Sequence, residues 1–259
     1  MKQNETLLNT LPNGSSNNNG KHKNNGHSFN STPVSSEHPH DDIESLLDQI
    51  GDEHLATNLE TPLREGAFDL SDEEKIKIIE SHFSKIMDTL GLDLTDDSLS
   101  GTPHRVAKMY VTEIFSGLNP KNKPKAKMFE NKYRYSGMLV ERDITFYSNC
   151  EHHFVPIFGR AHLAYISSGE VIGLSKLNRI VQYFSRRPQV QERLTNQIAE
   201  ELKKVLNTED VAVLLDAEHM CVCSRGVQDV NSSTITSHYS GKFSDEKTRE
   251  EFLRYVYGK

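Results

Sequence analysis

The sequence predicts an α+β fold built on antiparallel sheet. Helix-like segments come as a block, a pair of strand-like segments follows, and the block-then-pair order repeats. That order differs from the strict strand–helix alternation that builds parallel sheets. Neither GxxxxGK(S/T) nor GxGxxG occurs, so the two loops that open parallel nucleotide-binding folds are absent. Three cysteines are an odd number and too few for a disulfide framework, so the fold must rest on an ordinary apolar core.

The elements follow in order. Ser71-Asp72-Glu73-Glu74 has capping-box spacing, and Ile76, Ile79, Phe83, Ile86 and Leu90 continue at helical intervals until Gly91. Thr102 as N-cap and Pro103 as first helical residue open a second helix, which Gly117 ends. Residues 138–148 and 154–167 are rich in β-branched and aromatic residues and predict a strand pair. In the second, Ala161, Leu163 and Tyr165 alternate with Arg160, His162 and Ala164. Leu174, Leu177, Val181 and Phe184 stripe one helix. Val190, Leu194, Ile198, Leu202 and Val205 stripe the next, with a break at Arg187-Pro188. Residues 211–223 and 233–240 read as two more strands, and 246–257 as a closing helix.

Before Ser71 the composition changes. Residues 1–40 are rich in Asn, Ser, Gly and His and too poor in apolar residues to offset the entropy of ordering the chain, so a disordered tail is expected there. Residues 41–70 form an acidic zone in which Ile43, Leu46, Leu47 and Ile50 mark one face of a short helix. The folded domain is expected over 71–259. The chain carries 30 Lys+Arg against 37 Asp+Glu. Residues 1–70 hold 4 and 11 of these, which leaves 26 of each sign for 71–259. The acidic excess therefore belongs to the extension, and the domain itself is electrically balanced with local basic clusters; no nucleic-acid partner is expected. No run of about 18 apolar residues exists to span a membrane. Leu7, Leu8 and Leu11 make no continuous apolar stretch, so a secretory signal is not expected and the cytoplasm is the expected location.

Two constellations carry chemistry. Cys150-Glu151-His152-His153 falls where a strand gives way to a turn, and His219-Met220-Cys221-Val222-Cys223 lies far downstream on a predicted strand. Cys and His suit zinc, and a catalytic zinc keeps three protein ligands with a fourth position open. Cys150 and His153 can bite one ion across a turn. Strand alternation would put His219, Cys221, Cys223 and Arg225 on one face, so either downstream cysteine could close the site. A four-ligand structural site using Cys150, His153, Cys221 and Cys223 also fits this spacing. His152 and His219 remain as imidazoles for proton transfer or for orienting a ligand.

The second constellation is basic. Lys176 and Arg179 share a helix face away from the Leu177/Val181/Phe184 stripe, with Arg186, Arg187 and Arg193 following and Glu192 as the one acid among them. Fixed Lys and Arg side chains neutralise a polyphosphate, and a carboxylate can accept two hydrogen bonds from the N–H edge of guanine. The ordinary alternative is a solvated helix face.

Together these motifs resemble GTP cyclohydrolase I. The resemblance runs from about Ser71 to the C-terminus and rests on GTPHRVAKMYVTEIFSGL, SNCEHHFVPIFGRAHLAYI, VIGLSKLNRIVQYFSRRPQVQERLT and DAEHMCVCSRGVQDVNSSTITSHYSG. It implies the tunnelling fold (T-fold), in which antiparallel strands of several subunits close into a barrel, and a homodecamer with active sites at subunit interfaces. It implies zinc held by Cys150, His153 and Cys221, with Cys223 a bystander. The implied reaction is GTP plus water giving formate and 7,8-dihydroneopterin triphosphate, begun by attack of zinc-activated water on C8 of guanine. His152 and His219 match the family's proton-transfer histidines, and Ser175 a residue acting near the ribose. Glu192 with Gln191 matches the guanine anchor. Lys176, Arg179 and Arg225 match triphosphate contacts, joined by Arg105 from a neighbouring subunit. The family also admits a feedback regulatory protein, for which the acidic zone is the candidate element. A zinc nucleobase deaminase is disfavoured because its H-x-E and P-C-x-x-C spacing is absent. Another T-fold pterin or deazapurine enzyme, or a non-catalytic zinc module, stays open as the alternative.

Overall fold

The structure, a computed structural model, describes residues 58–125 and 127–258. The predicted tail over 1–40 and the Ile43–Ile50 helical face lie outside the described residues. Helix α1 (Asp72–Thr89) opens on the expected capping box. Ser71 Oγ accepts from the Glu74 N–H at 3.2 Å, and the Glu74 carboxylate accepts from the Ser71 N–H at 2.8 Å. Its predicted stripe is half-buried through Ile76, Ile79 and Phe83, but Ile86 and Leu90 are exposed and Met87 is the buried residue of the last turns.

Helix α2 (Thr102–Met109) begins one residue earlier than its expected cap. Gly101 is the N-cap and Pro103 the second helical residue, because a single helical turn over Asp97–Ser100 runs directly into it. The helix then widens into a π-turn over Tyr110–Ile114, where the Phe115 N–H reaches back five residues to the Tyr110 carbonyl. Gly117 ends it for a packing reason. A Cβ there would lie 2.0 Å from the Tyr183 carbonyl oxygen, and the Gly117 N–H donates to the Arg186 carbonyl at 2.9 Å.

The main sheet has five strands in the order β5-β2-β3-β6-β7. Strands β2 (Met138–Cys150), β3 (Pro156–Ile166), β6 (Val211–His219) and β7 (Thr234–Tyr239) pair antiparallel, and the two-residue β5 (Pro188–Gln189) runs parallel beside the end of β2. A separate pair joins β1 (Met128–Glu130) to β4 (Glu170–Ile172). Helices α3 (Leu174–Ser185) and α4 (Gln191–Leu206) cover one face, burying Leu177, Val181, Phe184, Leu194, Ile198 and Leu202 against Phe146, Leu163, Tyr165, Val213 and Leu215. Helix α5 (Glu246–Tyr257) covers part of the other face through Phe252 and Val256, packed on Ala164, Ile166, Ala212 and Leu214. The polar side of the β3 alternation is thus exposed only at Arg160. His162 is buried, with its Nδ1 accepting from the Asp143 N–H at 3.2 Å at a register shift in β2.

One expectation is corrected. Strand β6 does not run to residue 223. Its last pair is His219 with Ile157, and β3 begins at Pro156, so the chain beyond His219 has no neighbour to bond. It closes instead into a helical turn over Met220–Cys223, with the Ser224 N–H donating to the Met220 carbonyl at 2.9 Å. Residues ahead of the expected 70/71 border also contact the helical pair. Residues 58–61 are held by buried side chains of the helical pair: Arg193 Nε donates to the Asn58 carbonyl (3.1 Å) and Gln197 Nε2 to the Leu59 carbonyl (2.8 Å).

Candidate metal centre and active site

The turn from β2 to β3 sets the first half of the site. The Cys150 N–H donates to the Val155 carbonyl at 2.8 Å, and the Phe154 N–H to the Cys150 carbonyl at 2.9 Å. Phe154 takes a left-handed backbone (φ 57°) to complete this tight reversal. The turn carries Cys150 at its base, 5% exposed, and His153 on its outer side, with 4.0 Å between Sγ and Nδ1. The helical turn after β6 brings in the second half. Among the described residues, the donor atoms of Cys150, His153 and Cys221 lie within 4.8 Å of one another.

Cys223 is not in that group, and the reason is geometric. On a strand, residues two apart share a face. On a helix they are separated by about 200°. The helical turn that replaces the end of β6 therefore aims Cys221 at Cys150 and His153 and turns Cys223 away. Burial and the adjoining Cys150 sulfur push the Cys221 thiol up, as befits two thiols gathered at one point. Two sulfurs and one imidazole in this arrangement fit a zinc ion with an open fourth position.

Beside this cluster, Gln191 at the start of α4 is 2% exposed, and its side-chain polar atoms are all bonded within the protein. Its Nε2 donates to the Thr234 carbonyl (2.8 Å), with Thr236 Oγ1 and the Leu215 carbonyl at 3.1 and 3.3 Å. Its Oε1 therefore must accept, and it lies 2.7 Å from His219 Nε2. The hydrogen of His219 thus sits on Nε2, leaving Nδ1 with a free lone pair. Burial lowers the His219 pKa, opposed by Glu192 nearby. Glu192 itself is exposed in the first turn of α4, where the helix N-terminus favours a carboxylate. Arg225 donates to His153 Nε2 at 3.0 Å.

The basic constellation separates into two kinds of residue. Lys176, Arg179 and Arg186 line a cleft of about 300 Å³ together with Lys125, Gly117 and Tyr183. Arg187 and Arg193 are buried. Arg187 lies 4.6 Å from the ring centres of both Tyr183 and Phe184 and donates Nε to the Gly117 carbonyl at 2.9 Å. Arg193, 3% exposed, grips the Glu151 carboxylate with both terminal nitrogens.

A family model described as GTP cyclohydrolase I matches residues 79–257. The chain belongs to the GTP cyclohydrolase I family. It is 62% identical to the GTP cyclohydrolase 1 of Flavobacterium johnsoniae over 213 residues, covering 82% of this chain and 96% of that protein. Against the GTP cyclohydrolase 1 of Citrobacter koseri the identity is 54%, over 78% of this chain and 91% of that protein. With that of Salmonella arizonae it is 53%, over 80% and 94%. The first of these spans is longer than the stretch from Ser71 to the C-terminus, so the similarity reaches into the acidic zone. The solved structure of an archaeosine synthase QueF-Like in the apo form aligns at TM-score 0.33 and 18% identity over 40% of this chain and 92% of that one, too slight a likeness to argue from.

Membership in the GTP cyclohydrolase I family brings the T-fold with it, and the antiparallel sheet backed by α3 and α4 accords with that. The residues expected to form one site fall into three groups within the single chain. Cys150, His153 and Cys221 converge, with Arg225 on His153 and His152 Nδ1 3.7 Å from the Cys150 sulfur. His219, two residues before Cys221 in the chain, pairs with Gln191 and has Glu192 close by. Lys176 and Arg179 line the separate basic cleft, and Ser175 is exposed on the same first turn of α3. Arg105 is exposed on α2, its guanidinium folded over Gly101. Gln191, expected with Glu192 at the guanine, has its side chain buried and turned to His219. Sequence reasoning missed Glu151, whose place in the run C-E-H-H was its only signal, and Lys125, one of several lysines in an unremarkable loop.

Proposed function

We propose that this chain converts GTP and water into formate and 7,8-dihydroneopterin triphosphate, using zinc held by Cys150, His153 and Cys221. The observation that carries the reading is the convergence of these three donors beside the Gln191–His219 pair. Zinc in such a site supplies Lewis-acid activation of water near neutral pH. His219, held by Gln191 with its Nδ1 lone pair free, is placed to take a proton, and His152 beside Cys150 is the second imidazole for the proton transfers of ring opening and formate release. Glu192 is exposed beside His219 and offers a carboxylate to the N–H edge of guanine. An imidazole that gives Nδ1 to a metal carries its proton on Nε2. Arg225 then cannot keep its bond to that nitrogen, and its guanidinium becomes available to phosphate.

The complete site is assigned to an assembly. Lys176 and Arg179 belong to a cleft whose lining includes none of the metal-cluster residues, so a neighbouring copy is the natural source of the triphosphate-binding side. Strand β7 forms an edge of the sheet with one side unpaired among the described residues, as a barrel closed between copies requires. A homodecamer in the cytoplasm is the reading carried from the family resemblance. Among the described residues no helix is long and apolar enough to cross a membrane.

The test is direct. Purified protein given zinc and GTP should release formate and, after oxidation and dephosphorylation, yield fluorescent neopterin. Absence of both products, with no GTP binding, would overturn the reading.

A further inference from the structure

The metal-bearing turn has a neighbour that the proposed chemistry does not use. Glu151 sits between Cys150 and the two histidines, yet it is not among the clustered donors. Both its carboxylate oxygens are taken by one guanidinium: Arg193 Nη1 bonds Oε2, and Nη2 bonds Oε1 at 3.1 Å. The Glu151 N–H is held as well, donating to the Gln189 carbonyl at 3.0 Å. Backbone and side chain of this one residue therefore tie the turn to the β5–α4 segment. The same carboxylate lies 3.9 Å from His152 Nε2.

Arg193 is buried, and a buried guanidinium needs its N–H groups satisfied and its charge matched. Glu151 supplies the charge and two acceptors. The third comes from outside the helical pair: Arg193 Nε donates to the Asn58 carbonyl at 3.1 Å. The chain just after that carbonyl is pinned by two more buried side chains. Gln197 Nε2 bonds the Leu59 carbonyl at 2.8 Å, and Arg187 Nη1 reaches Thr61 Oγ1 at 3.4 Å. Residues 58–61 thus form a strap across α4, connected through a single guanidinium to the residue between the metal-binding side chains.

We propose that Arg193 and Glu151 are positioning residues for the metal turn, and that the 58–61 strap and metal occupancy are coupled through Arg193. The proposal rests on the zinc reading above. A bidentate carboxylate–guanidinium pair fixes direction as well as distance, so it sets how Cys150 and His153 face Cys221. The strap is the end of the extension nearest the folded domain. A displacement of Asn58 therefore acts on Arg193 and through it on Glu151 in the metal turn. Coupling of this kind is reciprocal: if the strap steadies the metal, the metal steadies the strap.

Two measurements on the full chain test this. The first is zinc affinity by chelator competition for wild type, Arg193→Lys and Glu151→Gln. Lysine keeps the charge but loses the fork and the bond to Asn58, and glutamine keeps the shape but loses the charge. Each should weaken zinc by about 10- to 100-fold, with the double variant little worse than either single one. The second needs no substitution: tryptic cleavage after the exposed Arg64, just past the strap, should be several-fold faster in zinc-stripped than in zinc-loaded wild type. Variants that bind zinc like wild type, whatever their melting temperatures, would overturn the positioning role. Equal cleavage rates with and without zinc would overturn the coupling. A wild type that holds no zinc at all would overturn the metal reading itself, and the proposal with it.

Discussion

The side-chain oxygen of Gln191 stands 2.7 Å from Nε2 of His219, while its nitrogen is committed to the Thr234 carbonyl and its neighbours. That pairing sets a second candidate role beside the guanine contact that the family resemblance implies for Gln191. A residue that anchors guanine through its side chain would raise KM when removed. A residue that sets the tautomer of a proton-transfer histidine lowers kcat. Gln191→Leu should lower kcat on the order of 10²-fold with a small change in the KM for GTP, measured by steady-state neopterin formation. A rise in KM at unchanged kcat would return Gln191 to the guanine.

The helical turn over Met220–Cys223 makes the two downstream cysteines unequal. Cys221→Ser should remove zinc and activity together, and Cys223→Ser should leave both near wild type. Zinc content per chain, measured by elemental analysis after gel filtration, decides it. Loss of metal in both variants would restore the four-ligand site.

Burial likewise divides the arginines of the basic run. Lys176→Ala and Arg179→Ala remove cationic side chains from the open cleft and should raise the KM for GTP about tenfold or more with little change in melting temperature. Arg187→Lys breaks the stack on Tyr183 and Phe184 and the bond to Gly117. It should cost about 2 kcal/mol of stability, read by denaturant titration.

His162 gives the stability a pH dependence of known sign. Burial holds its pKa below the usual imidazole value, against the opposing pull of Asp143 and Asp216 and with the help of Arg142 and Arg160. The unfolded chain therefore binds more protons than the folded one once pH falls below about 6.5. Its contribution is fully present above that pH and is lost as pH drops through the folded pKa. His162→Asn keeps an acceptor for the Asp143 N–H and removes the titration. Between pH 7.5 and 5.5 the variant should lose less in melting temperature than wild type, by calorimetry. An equal loss in both would assign the acid sensitivity elsewhere.

Much of this was legible in the residues. The capping box at Ser71, the two apolar helices after residue 173 and the strand pair from Met138 to Ile166 are local patterns, and local patterns survive folding. The metal site was half legible. Cys150 and His153 are three apart on one turn, so spacing alone brings them together. The roles of Arg193 and Gln191 were not legible, because a partner such as Glu151 or His219 is 42 or 28 residues away and periodicity carries no information about it.

By itself the sequence determined the helices, the strands, the two Cys/His segments and the acidic extension. Only the tertiary structure set Cys221 apart from Cys223. Strand β6 can extend only as far as β3 offers a partner, and β3 begins at Pro156. Past His219 the unpaired backbone satisfies itself by turning into a helix, which rotates one thiol onto the site and the other off it. Where a strand runs out of neighbours depends on pairing between distant segments.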